Sequence, residues 1–297
     1  MSEPVYILMD VKFWIGWEDK MSFVDDLEAI GIEELEEHVF ELFVNRAVSE
    51  RDLGFVGRKK DSLEVTVNGQ DLEIRQSISL LNSGKEKSTT GAVAWKVSPL
   101  FCEWVLTSGT VLHGLVVNRQ RTILEFGSGV GGILAVTIGP KVRRFIATDQ
   151  EHLLKLLREN IAENLPTPSK RKPTEWDVKA LEYDWEYADQ LIVNLEDELL
   201  DVDEDGVIIA CDTIYNDFLI PHFVNALLTA VKKIGPNCHI ILAQQLRAEP
   251  IMEAILRELL SRGFHVWNVP DYLLSPELVQ GFAVHYVRLN HDTLTGS

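Results

Sequence analysis

From residue 122 the chain repeats one unit: a short apolar run, a turn, and a stretch of helical periodicity. Apolar runs at 122–126, 144–149, 176–181, 207–212 and 239–243 read as strands. Helical patterns at 131–138, 150–164, 218–234 and 250–262 follow four of them. Alternation of this kind specifies an α/β fold with a doubly wound, mostly parallel sheet. The run at 207–212 is apolar until its last residue, Asp212, as expected of a central strand covered on both faces. Two further strands, 265–269 and 282–289, follow each other with no helix between them. They predict an antiparallel hairpin closing the sheet, for seven strands in all.

In open α/β sheets the ligand lies at the carboxyl ends of the strands. The first strand runs into Glu125-Phe-Gly127-Ser128-Gly129-Val-Gly131-Gly132. Glycines 127, 129 and 132 give G-x-G-x-x-G, the spacing of a dinucleotide site. Glu125 with glycines 127, 129 and 131 gives E-x-G-x-G-x-G, the spacing of an S-adenosylmethionine site. Glycine permits the tight turn and lets backbone approach a ligand closely. Asp149, ending the second strand, is placed to take both ribose hydroxyls of either cofactor, and it can also cap the next helix. An NAD-dependent oxidoreductase and a methyltransferase therefore both remain open on these residues.

Asp184 and Trp185 suit an adenine site, with a carboxylate for the exocyclic amine and a flat ring for stacking; Trp185 can equally be core. Trp95, after a Thr-Gly loop, is a candidate lid. Asp212-Thr-Ile-Tyr215 places an acid and, three residues on, an aromatic hydroxyl at the end of the fourth strand. Both can face an incoming amine, and a structural Asp capping the turn is the plainer possibility.

The first 88 residues read as an N-terminal extension and residues 89–297 as the catalytic domain. In the extension, residues 5–17 suggest a strand. Residues 22–52 suggest acidic amphipathic helices, and 63–79 a hairpin about Asn68-Gly69. A helix is expected from Ser98 to Leu106, and loops at 82–90, 166–172 and 194–205. The net charge of −18 argues against direct nucleic-acid binding and fits a basic protein partner, or simply a soluble surface. Cys102, Cys211 and Cys238 lie far apart, so neither a disulfide framework nor a metal site is expected. No secretory signal or membrane-length apolar run is visible, which points to a cytoplasmic protein without a membrane partner.

Taken in order, Thr90-Gly-x-x-x-Trp95, Glu125 to Gly131, Asp149, Asp184-Trp185 and Ala210-Cys-Asp-Thr-Ile-Tyr215 resemble the seven-β-strand protein-lysine methyltransferases of methyltransferase family 16. The D-x-x-Y after the fourth strand is that group's signature, and the likeness covers about residues 60–290. It implies a Rossmann-like class I methyltransferase sheet and S-adenosylmethionine as cofactor, bound by Trp95, Glu125, Gly127, Ser128, Gly129, Gly131, Asp149, Asp184, Trp185 and Cys211. It makes Asp212 and Tyr215 the catalytic pair. The family usually has a small or apolar residue where Cys211 stands, so its backbone is expected to meet the cofactor. Residues 211–228 look most like members acting on ribosomal proteins. That likeness implies a large-subunit ribosomal protein as substrate, methylated in the cytoplasm by a monomer; composition and spacing show none of this. A non-catalytic cofactor-binding assembly protein, and methylation of arginine or a small molecule, are the remaining alternatives.

Overall fold

The computed structural model describes residues 22–46, 54–57, 60–81, 90–166, 176–199 and 206–290. The strand expected at 5–17, the loop at 82–89, residues 167–172 of the basic loop and 200–205 of the acidic loop lie outside the described residues.

Fully buried strands form the centre of the sheet because both their faces are apolar. These are β4 (Thr122–Phe126), β7 (Val207–Cys211) and β8 (His239–Gln245). With β5 (Arg144–Asp149) and β6 (Val178–Glu182) they run parallel, in the order β8-β7-β4-β5-β6. The chain leaves β4 towards β5 and β6 and later returns to the other side of β4 as β7. The topological switch point therefore lies between β4 and β7, where the crevice of such a sheet opens. β10 (Phe282–Leu289) inserts antiparallel between β8 and β9 (Phe264–Asn268), which is the closing hairpin expected from the sequence.

The sheet has eight strands rather than seven. The eighth is β1 (Glu28–Ile30), which pairs antiparallel with β9, Ile30 opposite Val266. Three residues at this spacing carry no strand signal of their own; the open edge of β9 recruits them. Helix α1 (Leu35–Asn45) follows, burying Leu35, Val39 and Leu42, one face at i, i+4, i+7. Its end is pinned by Arg46, 2% exposed, which donates to Asp271 Oδ1 and to the carbonyls of Phe282 and Val269.

A separate hairpin, β2 (Ser62–Val67) and β3 (Gln70–Arg75), turns at Asn68-Gly69, both at positive φ as a type I′ turn requires. Helix α2 (Val97–Leu106) covers one face of the sheet, and α3 (Ile133–Thr137) leaves the glycine turn. Asn160 of α4 (Glu151–Asn164) is fully buried. It accepts from Arg75 N and donates to the carbonyls of Arg75 and Val130, tying the hairpin to the glycine turn. Helices α5 (Leu219–Ile234) and α6 (Glu249–Ser261) complete the layers. The region expected as an acidic loop begins as a helix, Val193–Leu199, because Leu195 and Leu199 at i, i+4 are both buried. No helix among the described residues is long and apolar enough to cross a membrane.

Candidate active site

The turn after β4 is built by three glycines in the left-handed region: Gly127 at φ +69°, Gly129 at +57° and Gly132 at +57°. Backbone bonds hold it. Ser128 N donates to Thr148 O, Gly129 N to Asp149 Oδ2 (2.7 Å) and Val130 N to Gly91 O. A Cβ on Gly132 would lie 2.9 Å from Leu157 and Ile161, so this glycine lets α3 start close against α4. Gly131 has an ordinary backbone and room for a Cβ, with no neighbour nearer than 3.6 Å.

Asp149 ends β5. Besides Gly129 N it accepts from Gln150 N (2.8 Å), so it anchors the turn and the entry to α4 together. Burial pushes its carboxyl up to about 6, against the pull of those two N–H groups. Glu125 sits behind the turn, 2% exposed, and its Oε2 has no hydrogen-bond partner among the described residues. Burial, helped by the nearby Asp149 charge, pushes Glu125 up to about 8; the Ser128 hydroxyl opposes this without reaching hydrogen-bonding geometry.

A carboxyl with a raised folded-state value holds its proton longer in the native than in the unfolded chain, so it loses stability as pH climbs from its ordinary value to the folded one. For Glu125 that window runs from 4.5 to about 8. Glu125→Gln is therefore expected to melt like the wild type near pH 4. Above pH 8 it should melt several degrees higher, a gain of a few kcal/mol. Thermal melts of the ligand-free protein across this range check it; a constant offset at every pH would refute the assignment.

At the end of β6, Asp184 Oδ1 accepts from Glu186 N (3.1 Å) and Oδ2 from Gln150 Nε2 (3.0 Å). Trp185 stacks on Phe126 (centroids 6.2 Å, 25°) and meets Phe223 edge-on. It packs into the core and also across the glycine turn: a Cβ on Gly127 would lie 3.3 Å from its ring. Its Nε1 is buried without a partner among the described residues.

Across the switch point, Asp212 follows β7 at φ +59°, a conformation few residues other than glycine adopt. Its side chain is fully buried, and Arg247 grips it bidentately, with Nη1 2.5 Å from Oδ1 and Nη2 on Oδ2. The Arg247 guanidinium lies 5.1 Å from the ring centre of Trp95, and Phe55 stacks on Trp95 at 4.5 Å. Trp95 Nε1 donates to Thr90 O. Tyr215 is 37% exposed at the rim. Cys211 is buried, which holds its thiol protonated. The three cysteines are buried and form no disulfide.

Of the positions singled out in the sequence, Trp95, Gly127, Ser128, Gly129, Gly131, Asp149, Asp184, Trp185, Cys211, Asp212 and Tyr215 face one cavity of about 570 Å³. Glu125 does not face it. Sequence reasoning missed Arg247, Phe55 and Gly91. Arg247 lies two residues past β8, at the same carboxyl edge, so the rule that found Asp212 applies to it once β8 is extended from residue 243 to Gln245. Gly91 lay inside the recognised Thr-Gly loop. Phe55 carried no local signal.

The family described as lysine methyltransferase matches residues 74–255, which includes Arg247 but not Phe55. A protein of Zygosaccharomyces rouxii named ribosomal lysine N-methyltransferase 5 is 32% identical over 68% of this chain and 74% of its own length. The protein of the same name from Vanderwaltozyma polyspora is 27% identical over 82% and 94% respectively. A Schizosaccharomyces pombe protein named diaminohydroxyphosphoribosylamino-pyrimidine deaminase is 26% identical over 73% of this chain, which spans 48% of that protein.

Proposed function

Because the chain belongs to the lysine methyltransferase family, we propose that it transfers the methyl group of S-adenosylmethionine to a lysine side chain of a basic protein, a ribosomal protein of the large subunit. The observation that carries the reading is the arrangement of one cavity. A glycine turn with the Asp149 carboxylate stands at one end, and Asp212, with Trp95 and Tyr215 beside it, stands across the switch point.

The cavity fits the cofactor. Gly127 and Gly129 present bare backbone to it, with no side chain to compete with a ligand, and the buried Ser128 hydroxyl between them has no partner among the described residues. Asp149 uses two bonds for backbone N–H groups and keeps acceptor sites for two ribose hydroxyls. Asp184 and Trp185 take the adenine, and Gly91 closes over Gly129. When bound, the cofactor supplies a methyl group on a sulfonium, already activated for displacement.

What remains for the chain is alignment and exclusion of water, together worth roughly 7–11 kcal/mol of barrier. To accept that methyl group the lysine amine would first have to lose its proton to solvent and present its lone pair. Asp212 accepts an amine hydrogen and orients the lone pair. Trp95, Phe55 and Tyr215 form the walls of the channel. The acidic surface draws a basic substrate.

Two measurements test this. Calorimetry should give binding of S-adenosylhomocysteine and none of NADH; the reverse makes the protein a nicotinamide enzyme. Radiolabelled cofactor with large-subunit ribosomal proteins, followed by mass-spectrometric mapping, should place methyl on lysine. Label on arginine, or none on any protein, overturns the proposal.

A further inference from the structure

The ion pair of Asp212 presents a difficulty that follows from the proposed reaction and rests on that reading. A lysine amine has an ordinary value near 10.4, so at neutral pH it arrives as an ammonium with no lone pair to offer. An unpaired carboxylate within about 4–6 Å would stabilise that ammonium and hold the nucleophile inactive. Yet Asp212 is the acceptor best placed to orient the amine.

The geometry resolves the conflict. Both carboxylate oxygens of Asp212 are engaged by Arg247, and Gln245 N lies 3.4 Å from Oδ1. The guanidinium is held on its other side by the face of Trp95, itself backed by Phe55. The backbone of Gly54 closes over it; a Cβ there would come within 2.8 Å of Nη2. Arg247 is thus fixed from three directions. A carboxylate has about four acceptor positions, and a bidentate arginine leaves some of them available.

We infer that Arg247 is a positioning residue that neutralises Asp212, so that Asp212 serves the target lysine as a hydrogen-bond acceptor and not as a counter-ion, favouring the neutral amine. The other titratable groups facing the cavity are Cys211 at the end of β7, Tyr215 on the loop after it, and Asp149, Tyr183, Asp184 and Glu186 at the opposite end. Among the described residues, no other cavity-facing group is a cation. The cradle is shared between the catalytic domain and the N-terminal extension, since Gly54 and Phe55 precede the part of the chain that matches the family.

The test uses Arg247→Ala, Arg247→Gln and Arg247→Lys in the full chain. Initial rates with large-subunit ribosomal proteins are followed from pH 6.5 to 10. In the Ala and Gln variants the acidic limb should move up by about one pH unit or more, so that activity falls at least about tenfold at pH 7 and recovers towards pH 10. Arg247→Lys should keep the limb near its wild-type position. A merely structural wall predicts an equal loss at every pH, and that result overturns the inference.

A second readout needs no turnover. With S-adenosylhomocysteine present, n-butylammonium should bind the Ala and Gln variants at least about tenfold more tightly than the wild type, because the carboxylate and the Trp95 face are then open to a cation. Equal affinity in calorimetry also overturns it. Thermal melts and S-adenosylhomocysteine affinity identify a variant that has lost its fold, and the Gln variant keeps most of the side chain's bulk. If the wild type labels no protein, the proposed function fails, while the n-butylammonium comparison still decides the role of Arg247.

Discussion

Asp212→Asn is expected to lower the rate of methyl transfer by at least about a hundredfold, equivalent to about 2.7 kcal/mol of barrier. The substitution keeps the shape of the side chain. Asparagine also tolerates the left-handed backbone that Asp212 occupies at φ +59°, so strain does not account for the loss. What changes is charge. The buried carboxylate is the partner of Arg247, and removing one member of such a pair leaves the other uncompensated, at a cost of up to about 3–5 kcal/mol when both are fully buried. Arg247 is 23% exposed, so the lower part of that range applies. The displaced guanidinium no longer rests on Trp95, and the acceptor that orients the amine becomes in part a donor. The glycine turn and Asp149 stand on other strands and are untouched. S-adenosylhomocysteine affinity should therefore stay within about threefold, under half the tenfold that 1.4 kcal/mol produces. Rates within a few-fold of the wild type would remove Asp212 from its role.

The second large effect is expected at Gly127. Gly127→Ala forces alanine to φ +69°, costing about 1–2 kcal/mol in the backbone alone. Its Cβ would lie 2.8 Å from Thr213 Cγ2 and 3.3 Å from the Trp185 ring. Neither neighbour can yield cheaply. Thr213 follows Asp212, and Trp185 is wedged between Phe126 and Phe223. The new methyl group thus pushes both walls of the cavity apart. Affinity for S-adenosylhomocysteine should fall at least about tenfold and the melting midpoint by about 2–8 °C. Gly131→Ala is the matched control. It faces the same cavity, but with an ordinary φ and 3.6 Å to its nearest neighbour it should fold as stably as the wild type. If the two variants behave alike in melting, conformational strain is not what the first glycine relieves.

These two positions also show how far the sequence could be read. Gly127 and Asp149 are legible because their chemistry is local: a glycine between an apolar run and a helix, and an acid where a buried strand must end. The same logic placed Asp184 and Asp212, and the hairpin at Asn68-Gly69, whose turn needs two residues at positive φ. It also placed most element boundaries within a few residues. Where it fell short, the cause was a partner distant in the chain. Residues 194–199 look like loop by charge, yet two leucines find the core and draw them into a helix. Glu125 reads as a cofactor ligand by spacing, and what only the packing shows is that it is buried, which pushes its carboxyl up to about 8.

By itself the sequence determined the alternating α/β order, the glycine turn and the acids at the strand ends, because period, turn chemistry and strand burial act over a few residues. Only the tertiary structure decided what those acids do. β1 became a strand because a distant edge offered backbone groups to pair with, Ile30 meeting Val266 two positions into β9 by the sheet's own register. Asp212 became half of an ion pair because β7 and β8 are parallel neighbours whose carboxyl ends lie side by side, while a segment near residue 55 lays Phe55 on Trp95 and Trp95 under Arg247. Contacts of that kind depend on the packing of whole elements, and no local pattern in the chain encodes them.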